Sequence, residues 1–376
     1  MPADYLFAPV AHIMSEACTL ALNGAYLDTR NFPAQRSRFE KLQRALERRG
    51  MRPEVKKITL EGDGNLEVID NIALQIRGMM RDFYDGKVIS FFGDSGGSPF
   101  LSAIQQNIEE RPISSDKTLM PRPVIVAPGG TMNHLSDVLG TKNQSDIAGI
   151  ASGEIPYRSQ EIKVRNVTVS IHDDAGGKEV ASQSSPWTCF VGAGFDGFVI
   201  DAWEKQPRAD GMPLRSARAL VESMKHLFRK RGPDNEMSVN LQSFMAIPRL
   251  AIFRFGPEYE SLDQDHIHHL SLERKGMADL LRSTVACLAF GPFPPLNSAI
   301  WRGDCEETEG SSVRNVMNEL KPKKVSTHTI RLPIHEPCVH VDGYPMDLKR
   351  MGLREGRHSK LTVSTTPRSI YVARKL

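Results

Sequence analysis

The sequence predicts an α/β domain followed by a mainly antiparallel β-sandwich domain. Two strand–glycine-loop–helix units stand about 35 residues apart, beginning at 88 and 124. Before them, apolar residues recur alternately at helical and strand spacing, and this βαβα order predicts a doubly wound parallel sheet with its loops at the carboxyl edge. Farther along, short β-like runs separated by turn residues favour a sandwich. The predicted domains are 1–157 and 158–365.

The first domain alternates helices and strands. Apolar residues at helical spacing follow Pro33, and a second such pattern ends at Gly86. The predicted elements are a helix over 34–49, a strand over 55–60, a helix over 66–84 and strands over 88–91 and 124–127.

The second domain begins with an alternating run, which predicts a half-exposed strand with a bulge at Arg165–Asn166. The helix over 214–231 has a basic end, which suits the anionic headgroups of a membrane surface; a solvated helix end is the alternative. The other predicted elements are a strand over 162–171, a polar hairpin connection over 172–185, a strand over 187–200 and β-like runs over 237–255, 280–290, 327–333, 337–341 and 360–363.

Composition is that of a soluble globular protein. The chain has 376 residues, 40% hydrophobic and 25% charged, and its net charge of +3 is too small to indicate a nucleic-acid partner. The run over 284–296 is interrupted by glycine and prolines, so no transmembrane segment is predicted. Five scattered cysteines without Cys-x-x-Cys spacing argue against a disulfide framework or structural zinc, and for a reducing, cytoplasmic location.

Two glycine motifs carry the strongest functional signal. They are Phe92-Gly93-Asp94-Ser95-Gly96-Gly97 and Pro128-Gly129-Gly130-Thr131-Met132-Asn133, each after an apolar run. Glycine lets the backbone approach an anion closely, and a following helix adds the positive end of its dipole. Neither motif is a Walker A loop or a dinucleotide fingerprint. Plain strand-to-helix turns are the alternative.

In this order, the two motifs resemble the catalytic domain of the diacylglycerol kinase family, which includes sphingosine, ceramide and bacterial lipid kinases. The second motif matches the family's Pro-x-Gly-Thr-x-Asn at Pro128, Gly130, Thr131 and Asn133. Leu139-Gly140 then closes the helix as in the family.

The first motif departs from the family's Gly-Gly-Asp-Gly-Thr. Gly93 and Asp94 match, whereas Phe92 and Ser95 replace glycines. We expect the Phe92 ring to lie where the family has glycine against the nucleotide. The chain is therefore expected to be a diverged member.

Three weaker similarities follow the family's order. Asn23 ends the first strand, the stretch 190–196 resembles a glycine-rich strand, and Asp342 stands in Asp-Gly-Tyr where the family has Asp-Gly-Glu. Tyr344 thus removes a carboxylate.

The resemblance implies an NAD kinase/diacylglycerol kinase-like α/β domain, a larger β-sandwich and a tail, about 366–376, that returns to the first domain. It implies an ATP-dependent lipid kinase that uses Mg²⁺ and transfers the γ-phosphoryl group of ATP to a lipid hydroxyl. Diacylglycerol, a sphingoid base and related lipids stay open as substrates. The enzyme would meet its lipid at the membrane surface, transiently, and a homodimer is left open.

The resemblance also implies the site residues. Asp94 and Asp342 would be catalytic, and the metal ligands are not assigned. The predicted nucleotide-binding residues are Asn23, Gly93, Ser95, Gly96, Gly97, Gly129, Gly130, Thr131 and Asn133. As alternatives, Asp94, Thr131 and Asn133 cap their helices, and Asp342-Gly343 forms a hairpin turn.

Other functions stay open at this point. The departures are compatible with a catalytically impaired relative that binds lipid or nucleotide, and an NAD kinase-like enzyme shares Gly-Gly-Asp-Gly. Ser95 also lies in Gly-x-Ser-x-Gly, the serine hydrolase elbow. His266 and His268 would share a strand face and could bind a metal, although an exposed polar loop explains them better.

Overall fold

The computed structural model describes residues 17–110, 121–130, 133–206, 238–247, 249–250, 253–254, 265–275, 322–332 and 338–376, with isolated positions between 214 and 225. These residues form two compact units. The first contains the described residues of Met1–Gly62, Leu66–Val164 and Pro367–Leu376, and the second those of Asp63–Asn65 and Arg165–Thr366.

The elements are numbered in chain order. The strands are β1 (Ala17–Asn23), β2 (Arg52–Ile58), β3 (Val88–Phe92), β4 (Ile125–Pro128), β5 (Tyr157–Lys163), β6 (Arg165–Asp173), β7 (Glu179–Trp187), β8 (Phe190–Gly194), β9 (Ser238–Met245), β10 (Arg249–Leu250), β11 (Phe253–Arg254), β12 (Ile267–Lys275), β13 (Lys323–Val325), β14 (Thr327–Arg331), β15 (Val339–Val341), β16 (Tyr344–Met346), β17 (Arg357–Ser364) and β18 (Ser369–Lys375). The helices are α1 (Pro33–Glu47), α2 (Asn65–Ile76), α3 (Asp82–Asp85), α4 (Asp94–Glu110), α5 (His134–Leu139), α6 (Gln144–Ser152) and α7 (Phe195–Glu204), with 3₁₀ turns at Gly24–Leu27 and Arg77–Met79.

The first unit contains a parallel sheet of order β2-β1-β3-β4. β1, β3 and β4 are almost wholly buried, as expected of strands covered on both faces, whereas the edge strand β2 is more polar. Leu42 of α1 and Ile147 of α6 share one core with the sheet. Phe92 of β3 stacks on Phe100 of α4, with ring centroids 4.7 Å apart. The predicted α/β class is confirmed.

The strand order creates a topological switch point. β1 lies between β2 and β3, so the chain reverses its direction of winding between β1 and β3. In such sheets, ligands bind outside the carboxyl ends of the strands at this point. The segments that follow β1 and β3 therefore flank the expected ligand crevice.

The end of the chain belongs to the first unit. β18 pairs antiparallel with β5, and Val372 forms a bridge to Val124, just before β4. The predicted boundary at 157/158 falls at the start of β5, while the two units divide at 164/165.

The described residues of the second unit form two large antiparallel sheets, in the orders β13-β12-β9-β8-β15-β16 and β14-β17-β6-β7, and a small sheet of β10 and β11. One hydrophobic core joins the two large sheets: Trp187 and Leu361 come from the four-stranded sheet, and Val191 and Phe244 from the six-stranded sheet. The predicted antiparallel class of the C-terminal region is confirmed, and the shared core makes it a sandwich.

Three predicted elements are wrong in detail. The strand over 162–171 is two strands, because the chain passes from the first unit to the second between Val164 and Arg165. The connection over 172–185 is shorter, since β7 begins at Glu179. The strand over 187–200 ends at Gly194, whose φ of 64° breaks the extended chain, and α7 begins at the next residue.

The histidine segment is also corrected. It forms β12 rather than an exposed loop, and both His268 and His269 are buried. Most of the predicted helix over 214–231 and the run over 280–290 lie outside the described residues; helical positions are described at 214–215, 218–219, 221–223 and 225.

Candidate functional site

Three loops meet at the carboxyl edge of the first sheet, after β1, β3 and β4. The backbone N–H of Gly93 donates to the Tyr26 hydroxyl at 3.2 Å, which joins the first two loops at the switch point. A Cβ on Gly130 would lie 2.2 Å from the Gly93 Cα, and one on Gly93 would lie 2.7 Å from the Gly130 Cα. Since side-chain carbons never approach so closely, both positions require glycine. The structure thus brings the two predicted motifs into direct contact.

The first motif is a helix start rather than an extended loop. α4 begins at Asp94, and the backbone N–H groups of Gly96 and Gly97 donate to the Gly93 carbonyl at 3.0 and 2.6 Å. Asp94 therefore stands in the first turn, directly after Gly93, and not at the cap position that the alternative required. The structure describes Asp94 and Ser95 by their backbone.

In the second motif, the Asn133 side chain is bound to Gly130. Its Oδ1 accepts from the Gly130 N–H at 3.0 Å, and its Nδ2 donates to the Gly130 carbonyl at 2.9 Å. Asn133 occupies the cap position of α5 but makes no side-chain cap bond. The capping alternative is wrong for Asn133, which instead fixes the shape of the loop; Thr131 lies outside the described residues.

The glycine amides of both motifs donate within the protein. The partners are Tyr26 Oη for Gly93, the Gly93 carbonyl for Gly96 and Gly97, the Phe92 and Ala127 carbonyls for Gly129, and Asn133 Oδ1 for Gly130. The close contact of the loops explains why these residues are glycine. Phosphate binding by their amides stays a prediction, and it would require these bonds to open.

Two further expectations can be placed at this edge. Asn23 is buried, and its Oδ1 accepts from the Ala25 N–H at 3.0 Å, so it caps the 3₁₀ turn after β1. The expected contact of Phe92 with a nucleotide is wrong, because its ring is 3% exposed and packs in the core beneath α4. The Phe92 replacement therefore adds core packing.

Arg38 is a site residue that sequence reasoning missed. It comes from α1, and its Nη1 donates to the Gly130 carbonyl at 2.8 Å across 92 residues of sequence. A half-buried guanidinium is thereby held against the second glycine motif. No local pattern could have revealed this, since the contact depends on how α1 packs on the sheet.

Asp342 lies in the second unit and has a structural explanation. Asp342 and Gly343, with φ of 51° and 92°, form the two-residue turn between β15 and β16. The Asp342 carboxylate is fully buried and accepts the backbone N–H groups of Thr188, Cys189 and Phe190 at 2.9 to 3.1 Å. The turn alternative accounts for this residue, while its catalytic role stays a prediction.

Asp196, in the first turn of α7, is a second buried carboxylate of the same unit. Ser243 donates a short hydrogen bond to it. Burial raises the pKa of Asp196 to about 7, against the lowering effect of that hydrogen bond. Asp196 therefore titrates near neutral pH in the folded protein.

Within the described part of the chain, no group of three or more His, Cys, Asp or Glu residues is placed to hold a metal ion. Mg²⁺ in nucleotide sites is usually held by one or two carboxylates together with the substrate phosphates, and a role of Asp94 in holding such an ion stays a prediction. No helix in the described ranges has the length and apolar character needed to cross a bilayer.

Comparisons with known proteins give only remote similarity. No family model matches the chain, and no curated protein matches it. Among solved structures, the chain is similar to a candidate diacylglycerol kinase from Bacillus anthracis str. Sterne, with 13% identity, a TM-score of 0.42 and coverage of 93% of this chain and 94% of that one. A diacylglycerol kinase structure from the same organism gives 12% identity, a TM-score of 0.37 and coverage of 94% and 97%. The name of these structures agrees with the family that the motifs resemble. Their TM-scores are below 0.5, so the description of the fold depends on the geometry given above.

Proposed function

We propose that this protein is an ATP-dependent lipid kinase whose nucleotide site lies at the carboxyl edge of the first sheet. The contact between Gly93 and Gly130 carries the proposal, because it unites both predicted motifs at the switch point. Tyr26, Asn133 and Arg38 fix the loops around this contact. A rigid edge of this kind can hold a polyphosphate in one orientation.

Phosphoryl transfer needs positioning, charge neutralisation and a proton acceptor. The lipid hydroxyl oxygen would form a bond to the γ-phosphorus as the bond from that phosphorus to ADP breaks, and its proton would pass to the Asp94 carboxylate. Bound Mg²⁺ would neutralise charge on the phosphates. Asp94 is the candidate base because it follows β3 directly at the site edge.

One observation favours a second candidate, a relative that binds nucleotide or lipid without turnover. The glycine amides of both motifs already donate within the protein, which leaves fewer backbone donors for a transition state. Ser95 and Tyr344, which replace family residues, point the same way.

The test is incubation with γ-labelled ATP, Mg²⁺ and a mixed lipid extract, followed by separation of the lipids. The lipid kinase proposal expects a labelled lipid with the wild-type protein and almost none with Asp94→Asn. An ATP-dependent rise in melting temperature without labelled lipid would favour the binding protein. Absence of both would contradict nucleotide binding altogether.

A further inference from the structure

Arg38 differs from the other paired arginines of its helix in what it contacts. Arg36 lies 2.8 Å and Arg44 lies 3.8 Å from Glu40, so each has a carboxylate partner. Arg38 instead donates to a neutral carbonyl, that of Gly130. Among the described residues, no carboxylate lies within 4.0 Å of its guanidinium nitrogens.

Arg38 is more buried than Lys41 and Arg48, so water solvates its charge less well. Lys41 and Arg48 of the same region are exposed, and water solvates their charges. Arg38 is half-buried at the contact between the two glycine motifs, where solvation is poorer. A partly desolvated cation without an acidic partner indicates that the missing anion is a ligand.

The hydrogen-bonding capacity of Arg38 points to the same conclusion. A guanidinium has five N–H donors in a planar fork that matches phosphate oxygens, and the bond to Gly130 uses one of them. The glycine amides nearby are engaged within the protein. Arg38 is therefore a side chain at this edge that has a positive charge and unused donors.

We propose that Arg38 binds phosphate oxygens of the nucleotide at the two glycine motifs, while its bond to Gly130 holds the second motif in place. The inference rests on the proposed function for the identity of the ligand, a nucleoside polyphosphate. Its recognition chemistry is that of any polyphosphate anion, which allows the two ideas to be tested separately.

The experiment is isothermal titration of the whole protein with ATP–Mg²⁺, with inorganic tripolyphosphate and with adenosine. Arg38→Gln should weaken binding of ATP and tripolyphosphate about 10- to 100-fold, the loss expected for a charge-assisted hydrogen bond, and leave adenosine unchanged. Arg38→Lys keeps the charge but not the fork, so it should give an intermediate loss. Arg44→Gln, an exposed position on the same helix, is the matched control and should bind like the wild type.

The outcomes separate the inference from the proposed function. If wild type and Arg38→Gln bind ATP equally, Arg38 is not a phosphate ligand, although the nucleotide site stands. Tripolyphosphate binding that depends on Arg38, without ATP binding, would support the inference and contradict the kinase. An equal loss for adenosine would show that Arg38 only positions the loop, and no binding of any ligand by the wild type would overturn both. If Arg38→Gln does not fold, the intermediate loss predicted for Arg38→Lys decides.

Discussion

The glycine-motif edge of the first unit and the Asp342 turn of the second use their charged groups in opposite ways. At the edge, the Arg38 guanidinium has one neutral partner and unused donors. In the turn, the Asp342 carboxylate is fully buried and accepts three backbone N–H groups. Both segments resemble catalytic motifs in sequence, yet one hydrogen bond holds the Arg38 guanidinium, whereas three hold the Asp342 carboxylate. The hydrogen-bond partners of a charged group, rather than motif similarity, thus distinguish a ligand site from a structural turn.

The largest expected effect is on turnover at the edge. Asp94→Asn removes the negative charge from the first turn of α4 and should lower lipid phosphorylation by roughly 10²–10⁴-fold, as expected for loss of a general base. The melting temperature should stay within a few degrees of the wild-type value. Retained phosphorylation would remove Asp94 from the chemistry and shift attention to Asp342.

Substitution of Gly130 should have the next largest effect. The new Cβ of Gly130→Ala would lie 2.2 Å from the Gly93 Cα, so the two motifs must separate. Overpacking against backbone should lower the free energy of unfolding by about 3 kcal/mol. Gly176→Ala is the matched control, because its Cβ meets nothing within 4 Å. Equal chemical denaturation of both variants would show that the contact is not tight.

Asp342→Asn tests whether the Asp342 carboxylate stabilises the turn between β15 and β16. Asparagine tolerates the positive φ of this position, but it loses the charge and presents an N–H to donors that need acceptors. The free energy of unfolding should fall by about 2 kcal/mol, while turnover per folded molecule stays unchanged. Lost turnover at unchanged stability would instead establish the catalytic role that the resemblance implies.

The meeting of the two glycine motifs at one sheet edge could be predicted from the sequence, because its signals are local. Apolar runs before Gly93 and Gly129 predicted β3 and β4, and the parallel topology then placed both motifs at one edge. Arg38 could not be predicted, since its partner is 92 residues away. The role of Asn133 was missed because a cap and a loop brace have the same local sequence.

Some elements of the fold are likewise determined by local sequence, and others by contacts between distant residues. The first sheet follows from periodicity, whereas the sequence predicts a strand in place of α7 because the start of α7 is continuous with the apolar residues of β8. Gly194, with a φ of 64°, and the buried Asp196 were the signals of a helix start. The division between the two units after Val164 depends on which unit each strand joins. A short stretch of sequence does not show this.

A separate expected effect is the pH dependence of stability that Asp196 causes. Its folded pKa of about 7 lies above the ordinary value of 3.8, so the folded state retains a proton that the unfolded state releases between these values. The contribution of the retained Asp196 proton to the free energy of unfolding is complete below pH 3.8. It is lost as pH rises through 7, and the free energy of unfolding then falls by at most about 1.4 kcal/mol per pH unit. Asp196→Asn should remove this slope from denaturation curves recorded across the window. An unchanged slope would show that another group titrates there.

The comparison itself is tested most directly by melting wild type and Asp342→Asn with and without millimolar ATP–Mg²⁺. We expect Asp342→Asn to melt at a lower temperature without ligand, and ATP to raise the melting temperature of both proteins by the same amount. Absence of any ATP-dependent rise in the wild type would show that the glycine-motif edge does not bind the nucleotide, and its loss in Asp342→Asn alone would show that Asp342 takes part in the site.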